Sequence, residues 1–134
     1  MADAVTEDTL DQAVDFVKKL AGKLGCIIAV TGAIDLVADA DICYVIRNGR
    51  PEMGKITGTG CQLSGLMTAY LTANQDDKLE AAATAVILMG VAGEVGYANM
   101  EPTDGNATYR NRIIDAIYNM DADKLCSMAK CEIR

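Results

Sequence analysis

Hydrophobic residues recur along this chain with two different spacings, and their alternation predicts a protein built from both helices and strands. Residues 6–24 carry an apolar stripe at helical spacing, and Thr6 is suited to be the N-cap of that helix. Residues 26–30 (CIIAV) form a continuous apolar run, which is typical of a strand buried on both faces in a parallel sheet. Residues 34–39 and 42–47 are short and β-rich, and they predict a hairpin.

The second half of the chain predicts mainly helices. Helical spacing begins at Cys61, an Ala-rich helix covers residues 78–99, and further helices are predicted over 108–119 and 121–130. Three glycines at intervals of three residues lie inside the long helix and would permit close approach of another helix. The order of helix, buried strand and further helices indicates an α/β layered fold.

Composition and charge exclude several classes of function. The 134 residues are 51% hydrophobic, which suits one packed domain or part of a larger one. The net charge is −7 and no basic stripe is present, so we expect no nucleic acid partner. No signal-peptide pattern and no apolar run of membrane-spanning length is evident, so we expect no membrane association.

The cysteine and histidine counts bear on compartment and mechanism. Five cysteines, an odd number, indicate reduced thiols and a cytoplasmic protein. The chain has no histidine, which excludes Ser-His, Cys-His and His-metal chemistry built from this chain alone.

The candidate chemistry lies in residues 55–65 (KITGTGCQLSG). A short extended piece is expected to lead into Gly58, and Gly58 and Gly60 flank Thr59 just before the predicted helix. Glycines leave backbone N–H groups unobstructed, and a helix start adds unpaired donors and a positive dipole end. Together these features predict an anion hole for a phosphate, formed by Gly58, Thr59, Gly60 and Cys61. A helix start also favours the thiolate form of a cysteine, so Cys61 could accept a proton from an attacking hydroxyl.

The pattern alone leaves other interpretations open. A Gly-x-Gly before a helix is often only a tight turn, and a cysteine there is often a small buried apolar residue. The loop is not a Walker loop, because the Gly-Lys-Ser/Thr ending is missing. Glu94 could be a hydrogen-bonded structural carboxylate or a phosphate or metal contact, and Asp35 is expected to belong to the turn after Thr31.

Several segments resemble the hydroxyethylthiazole kinases of the ribokinase-like superfamily. They are residues 57–64 (TGTGCQLS), 29–37 (AVTGAIDLV), 90–94 (GVAGE) and 109–118 (YRNRIIDAIY), in matching order and spacing. The resemblance implies a ribokinase-like three-layer α/β/α fold. It further implies ATP-dependent phosphorylation of 4-methyl-5-(2-hydroxyethyl)thiazole in thiamine biosynthesis, with ATP and Mg²⁺, in a cytoplasmic homotrimer.

The same resemblance assigns roles residue by residue. Thr31 matches a threonine that contacts ATP, Gly58 a glycine at the substrate and anion site, and Cys61 the residue placed as the catalytic base. No residue of this chain is matched to a metal ligand. The resemblance describes residues 1–134 as a single unit, the C-terminal part of a kinase domain, which is expected to be inactive alone.

Two alternative functions remain open from the sequence. Hydroxymethylpyrimidine (phosphate) kinase shares the Gly-Thr-Gly-Cys loop, although residues 30–32 and 93–94 favour the thiazole kinase. A non-catalytic oligomerisation module from a split kinase gene belongs to a different functional class.

Overall fold

The computed structural model describes residues 5–134, in which helices pack on both faces of one antiparallel sheet. Within these residues the sheet has four strands, and each pairs antiparallel with its neighbour along the chain. The strands are β1 (Ile28–Val30), β2 (Asp35–Ala38), β3 (Cys43–Ile46) and β4 (Cys131–Ile133). The predicted hairpin is therefore confirmed as β2 and β3, which form the centre of the sheet.

Five α-helices lie within the described residues, and two short 3-10 helices precede α1 and α2. The helices are α1 (Leu10–Leu24), α2 (Thr59–Ala73), α3 (Lys78–Ala98), α4 (Asn106–Tyr118) and α5 (Ala122–Met128), and the 3-10 helices are Glu7–Thr9 and Pro51–Lys55. The first 3-10 helix takes the place of the first turn of the predicted 6–24 helix. The second includes Lys55 and so replaces the start of the extended piece expected before Gly58, while Ile56, at the end of the 3-10 helix, has extended dihedral angles.

Alternating side chains of β2 and β3 divide the core into two parts. Leu36 and Val45 point to one face of the sheet, where they pack against α1. Val37 and Ile46 point to the other face, where they pack against α3. All four side chains are fully buried, as expected for central strands covered on both faces. This arrangement confirms the predicted α/β fold with three layers, helix–sheet–helix.

Strand β1 contradicts one prediction. The run over 26–30 is neither buried on both faces nor part of a parallel sheet: β1 is an antiparallel edge strand that pairs only with β2. Cys26 and Ala29 are exposed, while Ile28 and Val30 are half-buried against the α1 core. Ile27 packs on the opposite face of the sheet, so apolar residues on both faces gain partial burial without a second neighbouring strand.

Strand β4 has no counterpart in the sequence-based prediction, which ends with a helix over 121–130. The helix there is α5, and the chain then turns to pair Cys131 with Ile46 and Ile133 with Tyr44. The segment mixes polar and apolar residues over only three positions, so its periodicity is too short to indicate a strand.

Helix α3 forms the central helix on one side of the sheet, and its three glycines accommodate different neighbours. A Cβ at Gly96 would lie 3.1 Å from the backbone of Ile113 in α4, so this glycine permits the predicted helix contact. A Cβ at Gly90 would lie 2.7 Å from Asn48 Cβ, and one at Gly93 would lie 2.1 Å from Met53 Sδ. The expectation of a helix partner is therefore wrong for two of the three glycines, which contact a turn and a 3-10 helix.

Helix α3 also corrects the expectation about apolar length. Among the described residues it is the one helix long and apolar enough to cross a membrane, but 67% of its apolar window is buried inside the fold. The central helix of a packed domain meets the same criteria, and burial of this helix between the sheet, α2 and α4 accounts for its apolar composition.

Candidate active site

A cleft of about 580 Å³ lies between three backbone turns on the α3 side of the sheet. One turn follows β1 at Thr31, the second follows β3 at Asn48, and the third is the start of α2 at Thr59. Val86 and Met89 of α3 form part of the apolar lining. The cleft therefore brings together the predicted nucleotide residue Thr31 and the predicted anion hole, which are almost thirty positions apart in the chain.

The third turn carries the predicted anion hole, with one change to its geometry. Helix α2 begins at Thr59 rather than at Cys61, because Gly58 adopts a left-handed conformation (φ 101°) and acts as the N-cap. Within residues 5–134, the backbone N–H groups of Thr59, Gly60 and Cys61 have no hydrogen-bond acceptor, as expected for a first helical turn without a side-chain cap. Thr59 and Gly60 line the cleft directly, whereas Gly58 and Cys61 lie beside it.

Cys61 is exposed in the first turn of α2. This position contradicts the interpretation of the cysteine as a small buried apolar residue. The thiol is accessible to a ligand that occupies the helix start. An accessible cysteine beside these unpaired backbone donors can exchange a proton with a substrate when the N–H groups bind its anionic partner.

Two contacts fix the segment that leads into this turn. Ile56 is buried against Met89 and Tyr109. The Asn106 side chain donates a hydrogen bond of 3.1 Å to the carbonyl oxygen of Lys55. Residues outside α2 therefore fix the position of its start, while the first N–H groups of the helix stay unpaired among residues 5–134.

The first turn is held by a carboxylate. The backbone N–H of Gly32 donates a 2.8 Å hydrogen bond to Oδ1 of Asp35, which confirms the expectation that Asp35 belongs to this turn. Burial raises the pKa of the Asp35 carboxyl to about 6, although the Gly32 hydrogen bond favours the ionised form. Asp35 lines the cleft, and the adjacent Thr31 is exposed to it.

The second turn is held by a network around Glu94. Glu94 Oε1 accepts hydrogen bonds from the Gly49 backbone N–H (2.9 Å) and from Asn48 Nδ2 (3.2 Å), and Lys130 Nζ lies 3.0 Å from both carboxylate oxygens. Burial alone would raise the pKa of Glu94, but these hydrogen bonds outweigh burial and hold the pKa below its ordinary value. Glu94 is therefore a hydrogen-bonded structural carboxylate, as one of the two sequence-based interpretations states.

Asn48 extends this network to the C-terminal segment. It is the one polar side chain among the described residues that is almost completely buried, with 6% exposure. Its Nδ2 also donates to the carbonyl oxygen of Met128 (2.9 Å), and its Oδ1 accepts from the backbone N–H of Lys130 (2.7 Å). Asn48 thus joins the cleft to the segment that enters β4, and the network rigidly supports this wall of the cleft.

Sequence reasoning missed Arg50, which also lines the cleft. Its guanidinium group pairs with Glu52 through Nε and Nη2, both at 3.1 Å, and lies 4.0 Å from the centre of the Tyr97 ring. The hydrogen bond from Arg50 lowers the pKa of Glu52. The sequence feature that could have indicated it is a basic residue directly after an Asn-Gly turn, but such a turn does not by itself indicate a binding site.

The described residues do not by themselves fit the magnesium ion that the family resemblance implies. Within residues 5–134 no group of three or more His, Cys, Asp or Glu side chains is placed to hold a metal ion. Asp35 is the one carboxylate that lines the described cleft, and it already accepts the Gly32 hydrogen bond.

Comparison with known proteins identifies the family. The sequence profile of the hydroxyethylthiazole kinase family matches residues 2–123. This chain belongs to the hydroxyethylthiazole kinase family. The match favours this family over the hydroxymethylpyrimidine kinases, whose Gly-Thr-Gly-Cys loop is similar.

Relatives from distant organisms agree with this family assignment. A hydroxyethylthiazole kinase of Clostridium acetobutylicum is 49% identical over 130 residues, which cover 97% of this chain and 48% of the relative. One from Arabidopsis thaliana is 38% identical over 120 residues, covering 90% and 42%. The chain therefore spans about half the length of the curated hydroxyethylthiazole kinases that it matches.

A solved structure confirms the expected fold. The hydroxyethylthiazole kinase protein from Pyrococcus horikoshii OT3 matches with a TM-score of 0.84 at 25% identity, over 96% of this chain and 48% of that one. The agreement covers nearly all of the present chain, so the ribokinase-like arrangement of this family holds for its helices and sheet.

Proposed function

We propose that this chain forms the phosphate-transfer part of a hydroxyethylthiazole kinase. The reaction is ATP-dependent phosphorylation of the primary hydroxyl of 4-methyl-5-(2-hydroxyethyl)thiazole, a cytoplasmic step of thiamine biosynthesis or salvage. One observation carries this proposal: three unpaired backbone N–H groups at the start of α2 lie at the cleft that also contains Thr31. Family membership supports the same function.

The anion hole holds the phosphoryl group during transfer. Phosphoryl transfer requires mainly alignment and charge stabilisation, and preorganised N–H donors supply both. Thr59, Gly60 and Cys61 provide these donors, and the positive end of the α2 dipole reinforces them. A Cβ built on Gly58 or Gly60 would meet no atom within 4 Å, so this surface is open for substrate to approach the backbone closely.

Cys61 acts as the general base for the substrate hydroxyl. The hydroxyl oxygen attacks the γ-phosphorus, its proton passes to the Cys61 sulfur, and the bond to the β-phosphate oxygen breaks to release ADP. The exposure of Cys61 and its place in the first turn of α2 support this role. Gly58, directly before the helix, contacts the substrate at the same point.

The nucleotide occupies the cleft with Thr31 as one of its contacts. Val86, Met89 and Leu63 give the cleft an apolar lining suited to a heterocyclic base, while Thr31 offers a hydroxyl. ATP is accordingly the proposed phosphate donor, and Mg²⁺, implied by the family, accompanies it without a ligand named in this chain.

We also propose that the chain assembles as a homotrimer. Large apolar side chains remain exposed, including Phe16 at 65% and Tyr118 at 88%, and they support association. The Gly-rich face of α3 does not, because α4, Met53 and Asn48 already occupy it. Light scattering at micromolar concentration is expected to show a species larger than the monomer, and a monomer at all concentrations would contradict assembly.

Two measurements test the kinase proposal. For the chain alone we expect calorimetrically detectable ATP binding but negligible turnover, because the described residues supply no metal cluster. A chimera in which this chain replaces the matching segment of the Clostridium acetobutylicum relative is expected to release ADP only when the thiazole alcohol is present. Release with hydroxymethylpyrimidine instead would favour the alternative kinase. A folded chimera inactive with both alcohols would indicate a non-catalytic module.

A further inference from the structure

Arg50 has a fixed backbone at the rim of the cleft. The preceding residue, Gly49, donates its N–H to Glu94, and the carbonyl oxygen of Arg50 accepts a 3.0 Å hydrogen bond from the N–H of Met53. The Cα of Arg50 is therefore held by the Glu94 network on one side and by the 3-10 helix on the other. Because this Cα is fixed, the guanidinium group of Arg50 can occupy fewer positions.

The guanidinium group is held as well, by one charged and one aromatic partner. Glu52 accepts hydrogen bonds from Nε and Nη2, and the Tyr97 ring lies 4.0 Å from the guanidinium carbon. Tyr97 is itself fixed by an edge contact with Tyr109, whose ring centre is 5.6 Å away. The guanidinium plane is thus oriented before any ligand arrives, while Nη1 makes no hydrogen bond within residues 5–134.

The pair with Glu52 is easily exchanged. The side chains of Arg50 and Glu52 are 40% and 28% exposed, and ion pairs at such positions contribute little to stability. A phosphate offers the same planar guanidinium two oxygens with greater negative charge, and arginine binds it with a pair of parallel hydrogen bonds. Tyr97 can keep the guanidinium in place while its partner changes.

Charge within the cleft points to the same role. Among the described residues that line it, Arg50 is the one cationic side chain and Asp35 the one anionic side chain. The backbone donors of α2 can contact only one end of a triphosphate, so the rest of its negative charge needs another positively charged partner. Arg50 is the side chain in this cleft that can provide it.

We propose that Arg50 binds the phosphate chain of the nucleotide and releases Glu52 when it does so. The inference rests on the proposed nucleotide site. It adds a phosphate contact outside residues 58–61 and an exchange of Glu52 for phosphate at Arg50. Until nucleotide binds, Glu52 accepts the hydrogen bonds of the guanidinium group and keeps it oriented.

Calorimetric titration of the chain with ADP and with adenosine tests this proposal. R50M is expected to weaken ADP binding about tenfold, the effect of losing a charge-assisted contact, and to leave adenosine binding unchanged. The matched control is K55M, which removes an equal charge from an exposed residue of the same segment outside the cleft. It should change ADP affinity less than twofold.

The E52Q variant separates ligand binding from a structural role. If Arg50 serves the ligand, removing the competing carboxylate retains or strengthens ADP binding. If the Arg50–Glu52 pair only supports the fold, E52Q weakens ADP binding as much as R50M does, and the proposal is overturned. Equal ADP affinities for R50M and K55M would overturn it as well.

Failure of the nucleotide site itself gives a different result. A wild-type chain that binds ADP more tightly than adenosine, with equal ADP affinities for R50M and K55M, retains the phosphate site and contradicts only the role of Arg50. A wild-type chain that binds neither compound, while its melting curve shows a folded protein, contradicts the nucleotide site and with it the inference.

Discussion

Two glycine turns border the same cleft, and they use their backbone groups in opposite ways. Gly49 and Gly58 both have left-handed dihedral angles, with φ of 114° and 101°. The N–H of Gly49 is bound by half-buried Glu94, and its neighbour Asn48 uses both polar atoms of its side chain within the protein. The donors that follow Gly58 have no acceptor in the described chain.

This difference separates a support from a binding surface. Unpaired backbone donors are unfavourable when buried, so proteins satisfy them internally unless water or a ligand does so. The Gly49 turn is satisfied by the fold and resists movement. The start of α2 is accessible and unsatisfied, and a phosphate is the ligand that three adjacent N–H groups and a helix dipole favour. Changes at the Gly49 turn should therefore affect stability, and changes at the start of α2 should affect activity.

The largest expected effect concerns Cys61, measured in the chimera with the Clostridium acetobutylicum relative. Replacement by Ala removes the proton acceptor but keeps the backbone N–H groups, so kcat should fall about 10²–10⁴-fold while nucleotide affinity changes little. Cys61→Asp should retain activity, because a carboxylate can accept the proton at the same position. A fully active Ala variant beside an inactive, unstable Asp variant would assign Cys61 to packing alone.

The second prediction breaks the Gly49 turn. Glu94→Ala leaves the Gly49 N–H and the Asn48 amide without their acceptor, which should cost roughly 2–4 kcal/mol of unfolding free energy. Glu94→Gln keeps one acceptor oxygen and should cost about half as much. Urea denaturation of both variants checks the order. If Glu94→Ala is as stable as wild type, the network does not support the cleft wall.

Stability of this network should also depend on pH with a definite sign. The folded-state pKa of Glu94 is lowered, so its contribution is present above its ordinary pKa and is lost as pH falls through the folded value. The midpoint for wild type should therefore approach that of Glu94→Gln in acid.

The sequence was sufficient for the elements whose pattern is long or chemically specific. Helix α3 was predictable because its Ala-rich, mainly apolar segment is twenty-one residues long, and the hairpin because two β-rich segments flank a turn. The Gly-Thr-Gly-Cys loop was predictable as a candidate site from its glycines and the helix that follows. Its helix start was misplaced by two residues, since the conformation of Gly58 decides where the helix begins.

The remaining features depend on contacts between distant residues. Strand β4 exists because Cys131 and Ile133 reach the free edge of β3. The roles of Glu94 and Arg50 follow from partners up to 47 positions away, such as Tyr97 for Arg50. No local pattern encodes those partners, so sequence reasoning could name Glu94 only as one of two alternatives and did not find Arg50.

The third prediction uses the turn at Gly32, which is held by one titratable group. The pKa of Asp35 is raised from 3.8 to about 6 in the folded protein, so the folded state binds more protons than the unfolded state between these values. Stability should therefore fall as pH rises from about 4 to 6, by an amount on the order of 1–3 kcal/mol. Asp35→Asn can still accept the Gly32 hydrogen bond through Oδ1 and should abolish this loss. Equal pH profiles for the variant and wild type would exclude Asp35 as the source.

The smallest expected effect gives the sharpest contrast between the two turns. Gly60 lies in the first turn of α2 with negative φ, and a Cβ built there meets no atom within 4 Å. Gly60→Ala should therefore stabilise the chain by up to about 1 kcal/mol, because alanine favours the helix and restricts the unfolded state. The same methyl group would stand among the donors of the anion hole and should weaken ATP binding, while adenosine binding stays unchanged. Gly90→Ala is the matched control at the supported turn: its Cβ would lie 2.8 Å from the backbone of Asn48, so it should lower the melting temperature. A Gly60→Ala chain that is more stable and binds ATP as well as wild type would show that this backbone does not contact the transferred phosphate.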